Sequence, residues 1–243
     1  MDCLLNFNLL KLDEIERLKI EELSSYSLEP WEFEVGEKYG VKVEPRKIKG
    51  TAHPSYMKKS LFEAFNSLKR GQSIVYNYIL SPDYYNNLDL REYHRDKLHL
   101  IYKMHEDKYY ISGDGNHRFI LSKVLDINEL IIDSVTEYNE DLKLKELLQQ
   151  LESIGFAYEI TVEGIIVNSK YLEIELYGNL KSVLGSFLKH YINLNTSTIN
   201  EHLYRLKRYF TKDFMQKYAY SKEIMDICYY NFLELMKHKR HYS

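Results

Sequence analysis

The chain has 243 residues, 44% hydrophobic and 28% charged, and carries a net charge of −3. That balance excludes wholesale disorder and a collagen-like chain, and the length suits one large domain or two small ones. Two cysteines, Cys3 and Cys228, exclude a disulfide framework and a four-cysteine zinc site and point to a reducing, cytoplasmic setting.

Residues 1–10 carry Asp2, Asn6 and Asn8 within an apolar stretch and have no basic leader, so they do not read as a signal peptide. No apolar run reaches the ~18 residues a membrane span needs. Residues 11–24 read as an amphipathic helix, with Leu12, Ile15, Leu18 and Leu23 between acidic and basic residues. Trp31 to Val35 and Val41 to Glu44 alternate like two strands, with Gly36 and Gly40 as punctuation and Pro45 as the stop. Ile48 to Thr51 follows. Ser60 to Leu68 reads as a short helix, Val75 to Leu80 as a strand, and Pro82 as the start of a turn or helix.

Leu98 to Met104 and Lys108 to Ile111 pattern as a hairpin across His105-Glu106-Asp107. Next come a glycine-rich turn at 112–116, a helix from His117 to Leu125 and a strand from Leu130 to Val135. A helix at 140–151 and a small antiparallel sheet over 156–177 lead to a helical remainder. There Asn179 to Ile192 forms one helix, Thr198 with Glu201 opens another, and a last one covers about 221–237. From Asn179 onward the chain holds eleven Lys/Arg against five Asp/Glu, a net of +6. Such a basic region suits an anionic partner or a solvated helical face. The 23 tyrosines, interleaved with lysines, suit base stacking, but AT-rich coding would enrich tyrosine equally.

The turn Gly113-Asp114-Gly115-Asn116-His117-Arg118 concentrates the chemistry. Its glycines allow close backbone approach and positive φ. Amides at a helix start form an anion nest. Arg118 adds a permanent, forked cation and His117 a donor that titrates near neutrality. Those features suit a phosphorylated ligand, and they also suit an ordinary strand-to-helix turn.

Residues 110–118 (Tyr-Ile-Ser-Gly-Asp-Gly-Asn-His-Arg), with the apolar helix and the strand ending Val135-Thr136-Glu137, resemble the ParB/sulfiredoxin superfamily. The closest likeness is to the ParB-like branch with an Asp-Gly-Asn-His-Arg signature. Val43 to Thr51 resembles the strand that opens such domains, and the likeness covers about residues 41–138. It implies a compact domain whose turn holds nucleotide phosphates. Members use CTP as a clamp switch, ATP to repair oxidised peroxiredoxin, or ADP to phosphorylate serine. A nucleotide, CTP, ATP or ADP with Mg²⁺, is therefore the expected cofactor. Gly115, His117 and Arg118 match the sulfiredoxin Gly-Cys-His-Arg pattern, but Asn116 stands where its nucleophilic cysteine would be, so sulfiredoxin chemistry is not expected. The stretch Glu137-Tyr138-Asn139-Glu140-Asp141 departs from the Glu-Asn-x-x-Arg stretch of the partition proteins.

Thr51 and His53 either face the same pocket, because family members place this strand near the nucleotide, or belong to a plain loop. His94, His99, His105 and His117, with Asp96, Glu106 and Asp114, lie close in sequence but lack metal-ligand spacing, so no metal site is assigned. Arg205, Lys207 and Arg208, beside Tyr204 and Tyr209, form a basic-aromatic segment suited to nucleic-acid phosphates. The expected fold is α/β, mixed α+β: an N-terminal extension over 1–40, a ParB/sulfiredoxin-like domain over 41–140, and a β-hairpin with helices over 141–243. The expected function is nucleotide or phosphate binding, extending to phosphoryl transfer or nucleotide hydrolysis. The alternative is a nucleic-acid-binding regulator that uses the basic C-terminal helices.

Overall fold

A computed structural model describes residues 2–85, 97–113, 115–170, 173–192, 235 and 237–242. The fold is mixed α+β and divides into two compact units, Met1–Glu140 and Asp141–Ser243. No helix among the described residues is long and apolar enough to cross a membrane.

The first unit is built on a seven-stranded mixed sheet. Its strands are β1 (Glu22–Ser25), β2 (Glu32–Val43), β3 (Ile48–Thr51), β4 (Lys59–Ser60), β5 (His99–Lys103), β6 (Lys108–Ile111) and β7 (Leu130–Glu140). Their order across the sheet is β2-β7-β5-β6-β3-β1-β4. Its helices are α1 (Asp2–Asn6), α2 (Glu14–Ile20), α3 (Leu61–Asn66), α4 (Gly71–Leu80) and α5 (Asn116–Val124). Residues 1–40, set apart as an extension by sequence, supply β1 and most of β2 to this sheet.

Parallel pairing of β3 with β6 positions the site. Thr51 lies opposite Ile111, and β1 runs parallel to β3 on its other side, with Ser25 opposite Thr51. The carboxyl ends of β1, β3 and β6 therefore share one edge, the place where open sheets leave room for ligands. β5 and β6 form the expected antiparallel hairpin, so its tip at 104–107 lies at the other end of β6. Leu18, Leu61, Phe65, Leu98, Ile111, Phe119, Ile120 and Val124 belong to one buried cluster.

Three elements differ from the sequence reading. Residues 75–80 are helical within α4, not a strand. The run Val75-Tyr76-Asn77-Tyr78-Ile79-Leu80 is β-rich in composition, but Ile74 and Tyr78 pack on the core one turn apart beside buried Val75. Tertiary burial of a helical face overrides the local preference. The helix expected over 11–24 stops at Ile20, and Leu23 is buried from within β1, five residues past Leu18 and so off its helical face. The two strands expected within 31–44 are one long strand, Glu32–Val43, because the break at Gly36 is a bulge in the β2–β7 register and Gly40 takes φ of 62° without ending the pairing.

The second unit contains α6 (Leu142–Ser153), the antiparallel sheet β8 (Ala157–Ile160), β9 (Gly164–Asn168) and β10 (Glu173–Tyr177), and α7 (Leu180–Ile192). Asp141 caps α6 by accepting from the Leu144 amide at 3.0 Å, and it pairs with Lys181 at 2.7 Å. Phe156 packs edge-on against Phe187 and Tyr191, and His238 donates to Ile154 O at 2.9 Å.

Two outcomes follow. A Cβ at Gly50 would collide with the Ser24 carbonyl across the β1–β3 pair, so Gly50→Ala should destabilise the fold by about 1–3 kcal/mol in urea unfolding. His190 is 1% exposed, and burial pushes its imidazole down to about 4. The unfolded chain takes up that proton near pH 6.5 and the folded chain only near pH 4. Stability should therefore fall across that window by about 3 kcal/mol, and His190→Gln should flatten the slope in urea titrations at stepped pH.

Candidate functional site

The turn after β6 is shaped by Gly115, which takes φ of +93° immediately before α5. A Cβ there would also lie 3.1 Å from Leu98 Cδ2 and Phe119 Cε2, so the positive φ favours glycine and the close side chains add crowding. The first helical bond runs from the Phe119 amide to Gly115 O at 3.1 Å. The amides of Asn116, His117 and Arg118 precede it and lie at the positive end of the helix dipole.

The loop leaving β3 arrives beside this turn. Ala52 N–H donates to Ile111 O at 2.8 Å, continuing the parallel pairing. Thr51, fully buried, donates from Oγ1 to Asn116 Oδ1 at 2.7 Å and accepts from the His53 amide at 3.0 Å. Asn116 in turn donates from Nδ2 to Gly113 O at 2.7 Å. Thr51 and Asn116 thus use their polar atoms on each other and on the turn. They act as a buried latch holding the two loops together. His53, Gly113, His117 and Arg118 remain at the exposed or half-buried surface beside it.

His117 is the centre of the polar surroundings. Its Nε2 lies 3.0 Å from the Tyr56 hydroxyl, and the Tyr56 ring packs against His53 with centroids 4.7 Å apart. His53 Nδ1 accepts from the Ser55 amide at 3.2 Å. Burial, then the charges of Arg70 and His53, hold the His117 imidazole below its ordinary value, so it is neutral at pH 7. The neighbourhood is cationic, and an anion placed in it would reverse that shift.

Sequence reasoning brought Thr51 and His53 to the turn and missed Tyr56 and Arg70. Tyr56 is one of 23 tyrosines, and no spacing rule ties Arg70, at the head of α4, to the turn. Asp114 and the basic trio Arg205, Lys207 and Arg208 lie outside the described residues, as do His94 and Asp96.

The other histidines go to separate places. His99 bonds through Nδ1 to Ser134 Oγ at 2.7 Å within the β5–β7 pair. His105 lies at the hairpin tip, where Glu32, His105 and Glu106 bring ligand atoms within 4.8 Å of one another. That spacing suits a cation, and one is already there. Lys103 Nζ, on a side chain 7% exposed, lies 2.8 Å from Glu32 Oε1 and 3.7 Å from Glu106 Oε1, and donates to Ser27 O at 3.1 Å. Its ammonium also rests over the faces of Tyr26 and Tyr110. The cluster is a partly buried ion network, centred on Lys103 and Glu32, that ties the hairpin to β2 at the end of β6 away from the glycine turn.

No family model matches the chain, and no curated protein or solved structure matches it.

The latch gives a direct test. Thr51→Val keeps the shape but leaves Asn116 Oδ1 without its buried donor, which should lower stability by about 1–3 kcal/mol in chemical unfolding.

Proposed function

We propose that the protein binds the phosphate groups of a nucleotide, or of another phosphorylated small molecule, at the Gly113–Arg118 turn. In this reading the first unit, Met1–Glu140, carries a ParB/sulfiredoxin-like fold, on the likeness of residues 110–118. One observation supports it above the rest. Two parallel strand ends and a helix N-terminus meet at one place, and the side chains around His117 there are Arg70, His53 and Tyr56.

The mechanism is positioning and charge neutralisation. The first amides of α5 donate to the phosphate oxygens, Arg118 adds a forked pair of donors, and His117 supplies a neutral hydrogen-bond donor. A triphosphate bound here would bring Mg²⁺ with it, and the ion would offset part of the phosphate charge. Asn116 is held by Thr51 and Gly113 O at the position where sulfiredoxins carry their thiol. The chemistry proposed for the turn is therefore phosphate binding, extending to phosphoryl transfer or nucleotide hydrolysis, without a sulfur nucleophile.

A thermal-shift panel of CTP, ATP, GTP and ADP, each with and without Mg²⁺ and beside a sulfate control, tests this. Ligand at ~100 times its Kd should add about 2.7 kcal/mol of stability, visible as a higher Tm. Arg118→Ala should abolish the shift. A flat response across the panel would reduce the turn to architecture.

A further inference from the structure

We infer that Tyr56 is a positioning residue for this same site: its hydroxyl donates to His117 Nε2 and holds the imidazole as the Nδ1–H tautomer. His117 then offers an anion a hydrogen-bond donor. Its Nε2 is occupied and serves neither as a base nor as a phosphoryl acceptor. The anion in that statement rests on the phosphate reading above, whereas the tautomer does not.

The direction of the bond follows from the relative strengths of the two groups. Tyr56 is 5% exposed, and its hydroxyl lies 3.0 Å from His117 Nε2. A phenol O–H is a far stronger acid than the N–H of a neutral imidazole, and an imidazole nitrogen is a far stronger base than a phenol oxygen, so the pair is strongest with the phenol donating. The phenol keeps its proton across the physiological range, because burial pushes it further above its ordinary value. The imidazole can accept, because burial and its cationic neighbours keep it neutral.

The loop that carries Tyr56 is built to hold it there. Tyr56 N–H donates to His53 O at 3.0 Å, and Lys58, with φ of 56°, donates to Leu23 O at 2.8 Å where the chain turns into β4. The His53 ring covers one side of the phenol. The hydroxyl is therefore delivered to His117 from a closed turn, opposite the helix that delivers the imidazole.

Long-range proton–nitrogen correlation NMR on the full chain, with ¹⁵N-labelled histidine and no ligand, reads the tautomer directly. The expected spectrum shows His117 with Nδ1 protonated and Nε2 not. Tyr56→Phe removes only the hydroxyl. With a cooperative melt confirming its fold, this variant should lose the tautomer preference and bind the nucleotide from the thermal panel about five-fold more weakly, the worth of one neutral hydrogen bond. A resting Nε2–H tautomer in the unaltered protein overturns the proposal. So does a folded Tyr56→Phe protein that keeps the Nδ1–H form. Should Tyr56→Phe fail to fold, the spectrum of the unaltered protein decides alone. If the tautomer is as stated but no nucleotide moves any resonance, the role of Tyr56 stands and the phosphate reading falls.

Discussion

Thr51 and Ile111 lie opposite each other at the carboxyl ends of two parallel strands, and that register decides where every group of the turn can stand. A one-residue slip would turn Thr51 away from Asn116 and carry the His53–Tyr56 loop to the other face. The register is protected from the far side of β3. Gly50 lets the β1 backbone come close at Ser24, and the Ser24 hydroxyl bonds to Lys49 O at 2.9 Å. The small residue at position 50 is thus as much part of the site as the glycines of the turn.

The helix that forms the site's other wall is tied at both ends. Asn116 ties its start to β3 through Thr51. Lys123 ties its last turn to the beginning of the same strand, donating to Ile48 O at 2.8 Å and pairing with Glu21 at 2.6 Å. Burying an ammonium is costly, and here a carboxylate and a carbonyl offset the lost hydration. Desolvation still leads, because the Lys123 ammonium is pushed below its ordinary value despite the Glu21 pairing. A second buried lysine, Lys103, serves the hairpin in the same way. Both lie at the end of the sheet away from the turn, so the buried charge is structural at one end and the exposed chemistry is at the other.

Much of this frame was legible in the chain. The hairpin over 98–111, the turn, the helix after it and the strand from Leu130 follow from alternation, glycine placement and helical spacing. Thr51 and His53 were placed beside the turn through likeness to a family, not through pattern. What escaped the reading depends on tertiary contact. Residues 75–80 look like a strand in isolation and become helix because Ile74 and Tyr78 need one face. β1 is only four residues long and sits at the end of an apparent helical stripe. The Lys103 network joins Glu32 to the hairpin tip across the sheet order, where no sequence rule reaches. Tyr56 shares the same difficulty, since its meaning comes from a single partner on a distant helix.

With Asn116 and Lys123 fixing α5, and the His53–Lys58 loop closed on itself and on Leu23, neither wall of the turn has to be ordered by its ligand. Such preorganisation removes the entropic charge that a folding-on-binding loop would levy. On the proposed phosphate reading, recognition at this turn would be lock-and-key in character, with backbone shifts between free and occupied states below about 1 Å. Differences in affinity among related ligands would be expressed in how slowly they leave, and little in how fast they arrive.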